Sequence, residues 1–246
     1  MNLRRLLISA LAWIAFVVPA IAQEQSAVVP FADGTITLPI PAGFAGPSST
    51  PRAALDAMAQ GYGPKNRVMA VLLEKADLLR VASGERPNVT RYVIVHTERE
   101  TEASGMAPAQ FEAVEAEFRS LGEVSLRAAE PEIAAADARM SSALGKATGD
   151  SIESVKSGRE NVLGVFDERP DSIAVVSLAT VSHSARTGAR EFQQVAAVGF
   201  ARVKDSAVEV AAYSDYTSAE DIEWAKQIIR SWLTQLAVLN GSVAIK

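Results

Sequence analysis

Two histidines, His96 and His183, hold most of the side-chain chemistry open to this sequence. Cysteine is absent, which excludes thiol nucleophiles, thiolate metal sites and a disulfide framework. His96 stands in RYVIVHTERE, two residues before Glu98. Residues i and i+2 of a strand share a face, so Glu98 could orient the imidazole as a general base. The same stretch also reads as a strand end. Val93 and Val95 alternate with Tyr92 and Ile94, and the solvent-loving TERETE follows at once. A histidine at such an exit is expected at the surface or rim, where glutamine replaces it for less than about 1 kcal/mol. His183 lies in TVSHSARTG, between Ser182 and Ser184. A Ser–His nucleophilic pair needs contact in space, which strand neighbours seldom have. No G-x-S-x-G elbow occurs anywhere. The simpler reading makes His183 a turn residue, and no catalytic residue is expected.

Metal and cofactor sites are not expected either. Two histidines without H-E-x-x-H or an EF-hand loop do not make a metal centre. Asp167, Glu168 and Asp171 cluster near a turn and could collect calcium, but solvated turn acids are the commoner arrangement. The glycines follow neither a phosphate-loop nor a dinucleotide spacing. Tyr213, Tyr216 and Trp224, with Trp232, could line a ligand pocket between the last strand and the last helix. The plainer reading is a sheet–helix core with tyrosines near its rim.

The elements that must position these residues begin after a leader. MNLRRLLISALAWIAFVVPAIA has a basic start at Arg4 and Arg5, an apolar run from Leu6 to Val18, and small Ala20 and Ala22 around a cleavage point. The run is too short to span a bilayer comfortably. We expect a Sec-type signal peptide over residues 1–22, cut between Ala22 and Gln23, and one α+β domain over residues 23–246. The alternative is an uncleaved N-terminal anchor at the inner membrane. Export of this kind points to the periplasm. Net charge is −5, and −7 once Arg4 and Arg5 leave with the leader. An acidic chain without a basic run argues against nucleic acid and anionic lipid as partners. No later segment reaches transmembrane length.

QEQSA reads as a flexible lead-in. TITLPI alternates as a half-buried strand after the Asp33-Gly34 turn. SSTPRAALDAMAQGYG is a short helix, with Thr50 as N-cap, Pro51 at its first position and Gly61 as its stop. NRVMAVLLEK and NVTRYVIVHTER are strands, and ADLLRVASGERP between them is a loop or helical turn. A helix opens at Pro108 and closes at Gly122, with Phe111, Val114, Phe118 and Leu121 on one face. A second opens at Pro131. KATGDSIESVKSGRE is weakly patterned and reads mostly as loop. NVLGVF, DSIAVVSLATVS, EFQQVAAVGFARV and AVEVAAYSDY then form four strands joined by turn-rich DERP, HSARTGAR and KDS. Strands this close in sequence make an antiparallel meander. The chain ends in an amphipathic helix capped by Ser218 and Asp221, with Ala225, Ile228, Trp232 and Leu236 in a stripe. The expected class is α+β: an antiparallel sheet that includes a C-terminal four-strand meander, covered by helices and ending in a long amphipathic helix.

GTITLPIPAGF, RYVIVHTER and the ending VAAYSDYTSAEDIEWAKQIIRSWLTQL resemble small exported bacterial proteins of unknown function. Their layout is similar to the Mog1/PsbP-like α+β fold. That resemblance implies an antiparallel sheet between helices, a long last helix carrying tryptophan, and a role in binding or assembly; it transfers no functional residue. The expectation is a non-catalytic periplasmic accessory or binding protein, whose partner is an envelope protein or a small ligand. A periplasmic hydrolase using His96 or His183 is the competing reading.

Overall fold

In the computed structural model, residues 25–85, 88–121, 131, 133–139, 141–142, 152–185 and 188–241 are described. The leader, its cleavage point and Gly122 lie outside them. The chain opens with a hairpin of β1 (Ser26–Phe31) and β2 (Gly34–Pro39). Helix α1 (Arg52–Tyr62), β3 (Asn66–Leu73), α2 (Lys75–Ala82) and β4 (Arg91–Glu98) follow. Then come α3 (Arg99–Ser104), α4 (Pro108–Ser120) and the helical residues 133–139, here α5. Strands β5 (Ile152–Arg169), β6 (Ser172–Ala185), β7 (Gly188–Val203) and β8 (Ser206–Asp215) lead into α6 (Ala219–Leu239).

β3 to β8 form one antiparallel sheet in the order β3-β4-β8-β7-β6-β5. The four-strand meander is there, and β4 pairs with β8 along one edge of it, so the early strands extend the late sheet. Tight turns explain the meander. Lys204 and Asp205 both take positive φ (50° and 58°), the conformation a two-residue hairpin needs between twisted strands.

Alternation gives the sheet two covered faces. Val93, Val95, Val195, Ala197, Val208, Val210 and Ala212 point to α6 and to Phe31, Ile36 and Leu38 of the hairpin. The helix comes very close to the sheet at Gly199. A β-carbon there would stand 2.9 Å from Ile229 Cγ2 and 3.2 Å from Leu233 Cδ1, so only glycine admits this packing without a shift. Ala225, Ile229, Trp232, Leu233 and Leu236 are buried, as the stripe requires, while Ile228 packs at its margin. On the opposite face α4 lays Phe111 and Phe118 against Phe200, with ring centroids 5.9 and 6.0 Å apart.

Several boundaries differ from the sequence expectation. Ser26 and Ala27 are not a loose lead-in but pair with Pro39 and Leu38. Pro51 caps α1, Gly61 lies within it, and Gly63 at φ 82° ends it. Thr50 instead donates its hydroxyl to Val71 O at 2.5 Å, helping to cover the sheet edge at β3. Residues 152–160, expected as loop, belong to β5, and β6 and β7 run to Ala185 and from Gly188 through the expected turn HSARTGAR. Register shifts between 152 and 154, 157 and 160, 162 and 164, and 165 and 167 break the alternation of β5. A strand interrupted that often shows no period of two, although its neighbour still holds it.

Candidate functional site

β4 places His96 on the sheet face away from α6, and the register sets it opposite Glu209 of β8. Its Nε2 lies 2.9 Å from Glu209 Oε1. Glu98, the orienter expected from spacing, is exposed and instead accepts from Thr101 Oγ1 at 3.2 Å. Nor is His96 a rim residue: it is 6% exposed. Two things bury it. β3 continues the sheet beyond it, pairing Val68 with it, and Tyr62 of α1 lies over its ring at 4.4 Å between centroids.

The same layer holds a run of tyrosines. Tyr62 and Tyr213 share a hydrogen bond between hydroxyls at 3.2 Å. Tyr92 stacks on Tyr213 at 4.7 Å and accepts from Gln194 Nε2 at 3.3 Å. Burial pushes the Tyr213 hydroxyl up to about 12, opposed by the Tyr62 hydrogen bond and supported by the charges of Glu209 and Glu160. Burial also raises Tyr62 and Tyr92, so all three stay protonated in ordinary buffers.

A His–carboxylate dyad works as a general base when one ring nitrogen meets the carboxylate and the other faces substrate. Here Nε2 faces Glu209, and Nδ1 is buried with no hydrogen-bond partner among the described residues. Tyr62 closes the remaining side. The arrangement is suited to fixing α1 on the sheet. The small cost expected for His96→Gln is therefore revised upward. Losing the Glu209 bond and the ring contact should cost about 1–3 kcal/mol. Urea unfolding of the two proteins measures it, and a difference below about 0.5 kcal/mol would show that the pair contributes nothing.

The other sequence candidates do not converge. The backbone of His183 lies within β6, opposite Val155 and Arg190, so it is a strand position and not a turn. Tyr213 points away from α6, on the opposite sheet face from the helix that carries Trp224. Trp224 stacks with Phe44 at 6.3 Å and lies under the Arg91 guanidinium at 4.5 Å, and Tyr216 packs at the core margin. The expected tyrosine–tryptophan pocket is thus divided by the sheet. Asp167, Glu168 and Asp171 each face an arginine: Arg169 at 2.7 Å, Arg119 at 2.6 Å and Arg202 at 3.1 Å. No group of three or more metal-ligating side chains occurs among the described residues, and no helix among them is long and apolar enough to cross a membrane.

A cleft of about 850 Å³ opens beside β3, where α1 and α5 meet the end of β4. Arg67, Arg99 and Arg139 line it, with Asp56 on the α1 side and Ala59, Pro64 and Val68 as apolar wall. Arg67 is a structural clamp. It donates to Glu102 at 2.8 and 2.5 Å and to Pro30 O at 3.0 Å, tying the hairpin and α3 to the edge strand. The Arg67 hydrogen bonds, against some cost of burial, hold Glu102 below its ordinary value. No sequence motif marked these arginines. They come from three distant segments and meet only through the sheet order, whereas Glu209 could be matched to His96 only once the register was known.

No family model matches this sequence, and no curated protein matches it. Among solved structures the chain is similar to the 1.9 Å crystal structure of the Saccharomyces cerevisiae Ran-binding protein Mog1p, at 12% identity over 88% of this chain and 93% of that one, with a TM-score of 0.33. So loose a superposition carries no functional argument.

Proposed function

We propose that this chain is an exported, non-catalytic binding or accessory protein of the bacterial periplasm. The observation that supports it best is the separation of chemistry from access. The one imidazole–carboxylate pair seen among the described side chains is closed beneath Tyr62, whereas the wide opening beside β3 presents guanidiniums and apolar wall. Such a lining is suited to recognising and holding a ligand. An envelope protein or a small ligand is the expected partner.

A screen of the mature protein against ester, phosphoester and peptide substrates tests the reading. No turnover above a heat-denatured control is expected. Turnover that disappears in a folded His96→Gln or His183→Gln protein would replace it with the hydrolase reading.

The location rests on the leader alone. N-terminal sequencing of the protein recovered from the soluble periplasmic fraction should begin at Gln23. A chain that starts at Met1 and stays with the inner membrane would make the leader an anchor.

A further inference from the structure

We infer that the cleft between α1, β3 and α5 is a site for a small ligand bearing a carboxylate or phosphate group, held by Arg99 and Arg139. The inference deepens the binding reading above and rests on it.

The argument is a charge ledger. In the cleft lining, Arg67 is neutralised by Glu102, and Asp56 is neutralised by Arg52 at 2.9 Å. Arg99 and Arg139 have no carboxylate in ion-pair contact among the described residues. Two guanidiniums therefore line one cleft without an ion-pair partner among the described residues, on a chain whose net charge is −5. Glu102, already engaged by Arg67, is the carboxylate that also feels the charge of Arg99. Local reversal of sign against an acidic surface focuses anions into the opening.

Arg139 is also held in place. Its Nε donates to Gly61 O at 3.1 Å, which fixes the plane of the guanidinium and leaves its terminal nitrogens to a ligand. The group lies flat on the chain at Gly63. A β-carbon there would be 3.1 Å from Nε and 3.2 Å from Cζ, so the glycine that ends α1 also makes room for the cation. Arg99, exposed at the start of α3, is anchored through its backbone alone, whose N–H donates to Lys65 O at 2.9 Å beside the β3–β4 ladder. A planar, fixed guanidinium matches the paired oxygens of carboxylate and phosphate, and fixing it beforehand lowers the cost of binding. Ala59, Pro64, Val68 and Ala138 offer apolar contact to the rest of the ligand. The volume lies within the range of ligand pockets, ~300–1,000 Å³.

Titration calorimetry of the mature protein at low salt tests this with three probes: inorganic phosphate, citrate, and trimethyl citrate, which has the same skeleton without charge. Citrate or phosphate should bind, and whichever binds names the oxyanion. Affinity should fall at least about tenfold in Arg99→Gln and in Arg139→Gln, as for the loss of a charged hydrogen bond. It should be unchanged in Arg80→Gln, an exposed arginine of α2 away from the cleft, and should weaken as salt rises. Circular dichroism confirms that each variant is folded. Anion binding that is equal in all variants would overturn the inference. So would trimethyl citrate binding as tightly as citrate, an outcome that leaves the binding reading standing. If no probe binds, the anion inference fails, and an affinity pull-down from envelope extract then decides the binding reading separately.

Discussion

Trp232→Ala should remove about 3–5 kcal/mol of stability, the usual range for truncating a buried large aromatic. A typical domain has ~5–15 kcal/mol in all, so the thermal midpoint should drop steeply. Trp232 is 1% exposed and sits where α6, the β1–β2 hairpin and the large sheet share one core. Its indole N–H donates to Pro39 O at 3.0 Å. Proline cannot donate to a ladder, but its carbonyl still needs a donor when buried. Alanine would thus open a cavity and orphan that oxygen together. Trp232→Phe separates the two effects. It keeps most of the ring and loses the donor, and should cost about 1–3 kcal/mol. If instead α6 were a docking helix, both variants would melt with wild type. Equal midpoints for wild type and Trp232→Ala would reject a core position for this side chain.

The same helix shows what the sequence made legible and why. α6 has a 3.6-residue stripe, a capping pair and an Asn-Gly stop, all local signals, and each appears in place. Asn240 adds a non-local role: its amide accepts from Thr37 N and donates to Thr37 O, both at 2.9 Å, as a strand would. The meander was legible for the same reason, since turn residues and alternating runs lie within a few positions of each other. His96 was misplaced because its burial comes from α1 and β3, which precede it, and its partner Glu209 lies 113 residues later. A single strand cannot report whether its edge is covered. Only the first half of β5, residues 152–160, was missed: the register shifts at 152/154 and 157/160 break its alternation, whereas NVLGVF in its second half was legible. The cleft was illegible altogether. Arg67, Arg99 and Arg139 have ordinary surface neighbours in sequence, and only the sheet order brings them to one opening.

Asp221→Ala is expected to cost about 2–4 kcal/mol at pH 7, from loss of a helix cap together with a charged hydrogen bond. The carboxylate is 6% exposed and fully engaged. Its Oδ2 accepts from Thr217 N at 2.9 Å, Thr217 Oγ1 at 2.6 Å and Ser218 N at 3.1 Å. Its Oδ1 accepts from Arg91 at 2.9 Å, and that guanidinium also covers Trp224. One side chain therefore starts α6, fits the macrodipole at its N-terminus, and ties the helix to β4. Burial alone would raise the Asp221 carboxyl. The hydrogen bonds from Thr217, Arg91 and Ser218 outweigh it and hold the group well below the usual carboxylate range. A depressed folded value means that the contribution is fully present above the unfolded value near ~3.9 and is lost as pH falls from there toward the folded value. The gap in urea stability between wild type and Asp221→Ala should therefore hold constant from pH 7 to about pH 5 and narrow below about pH 4. Asp221→Asn, uncharged at every pH, should show the same narrowing with a smaller gap. A gap that stays the same down to about pH 3 would mean that the charge contributes nothing and that the cap acts by shape alone.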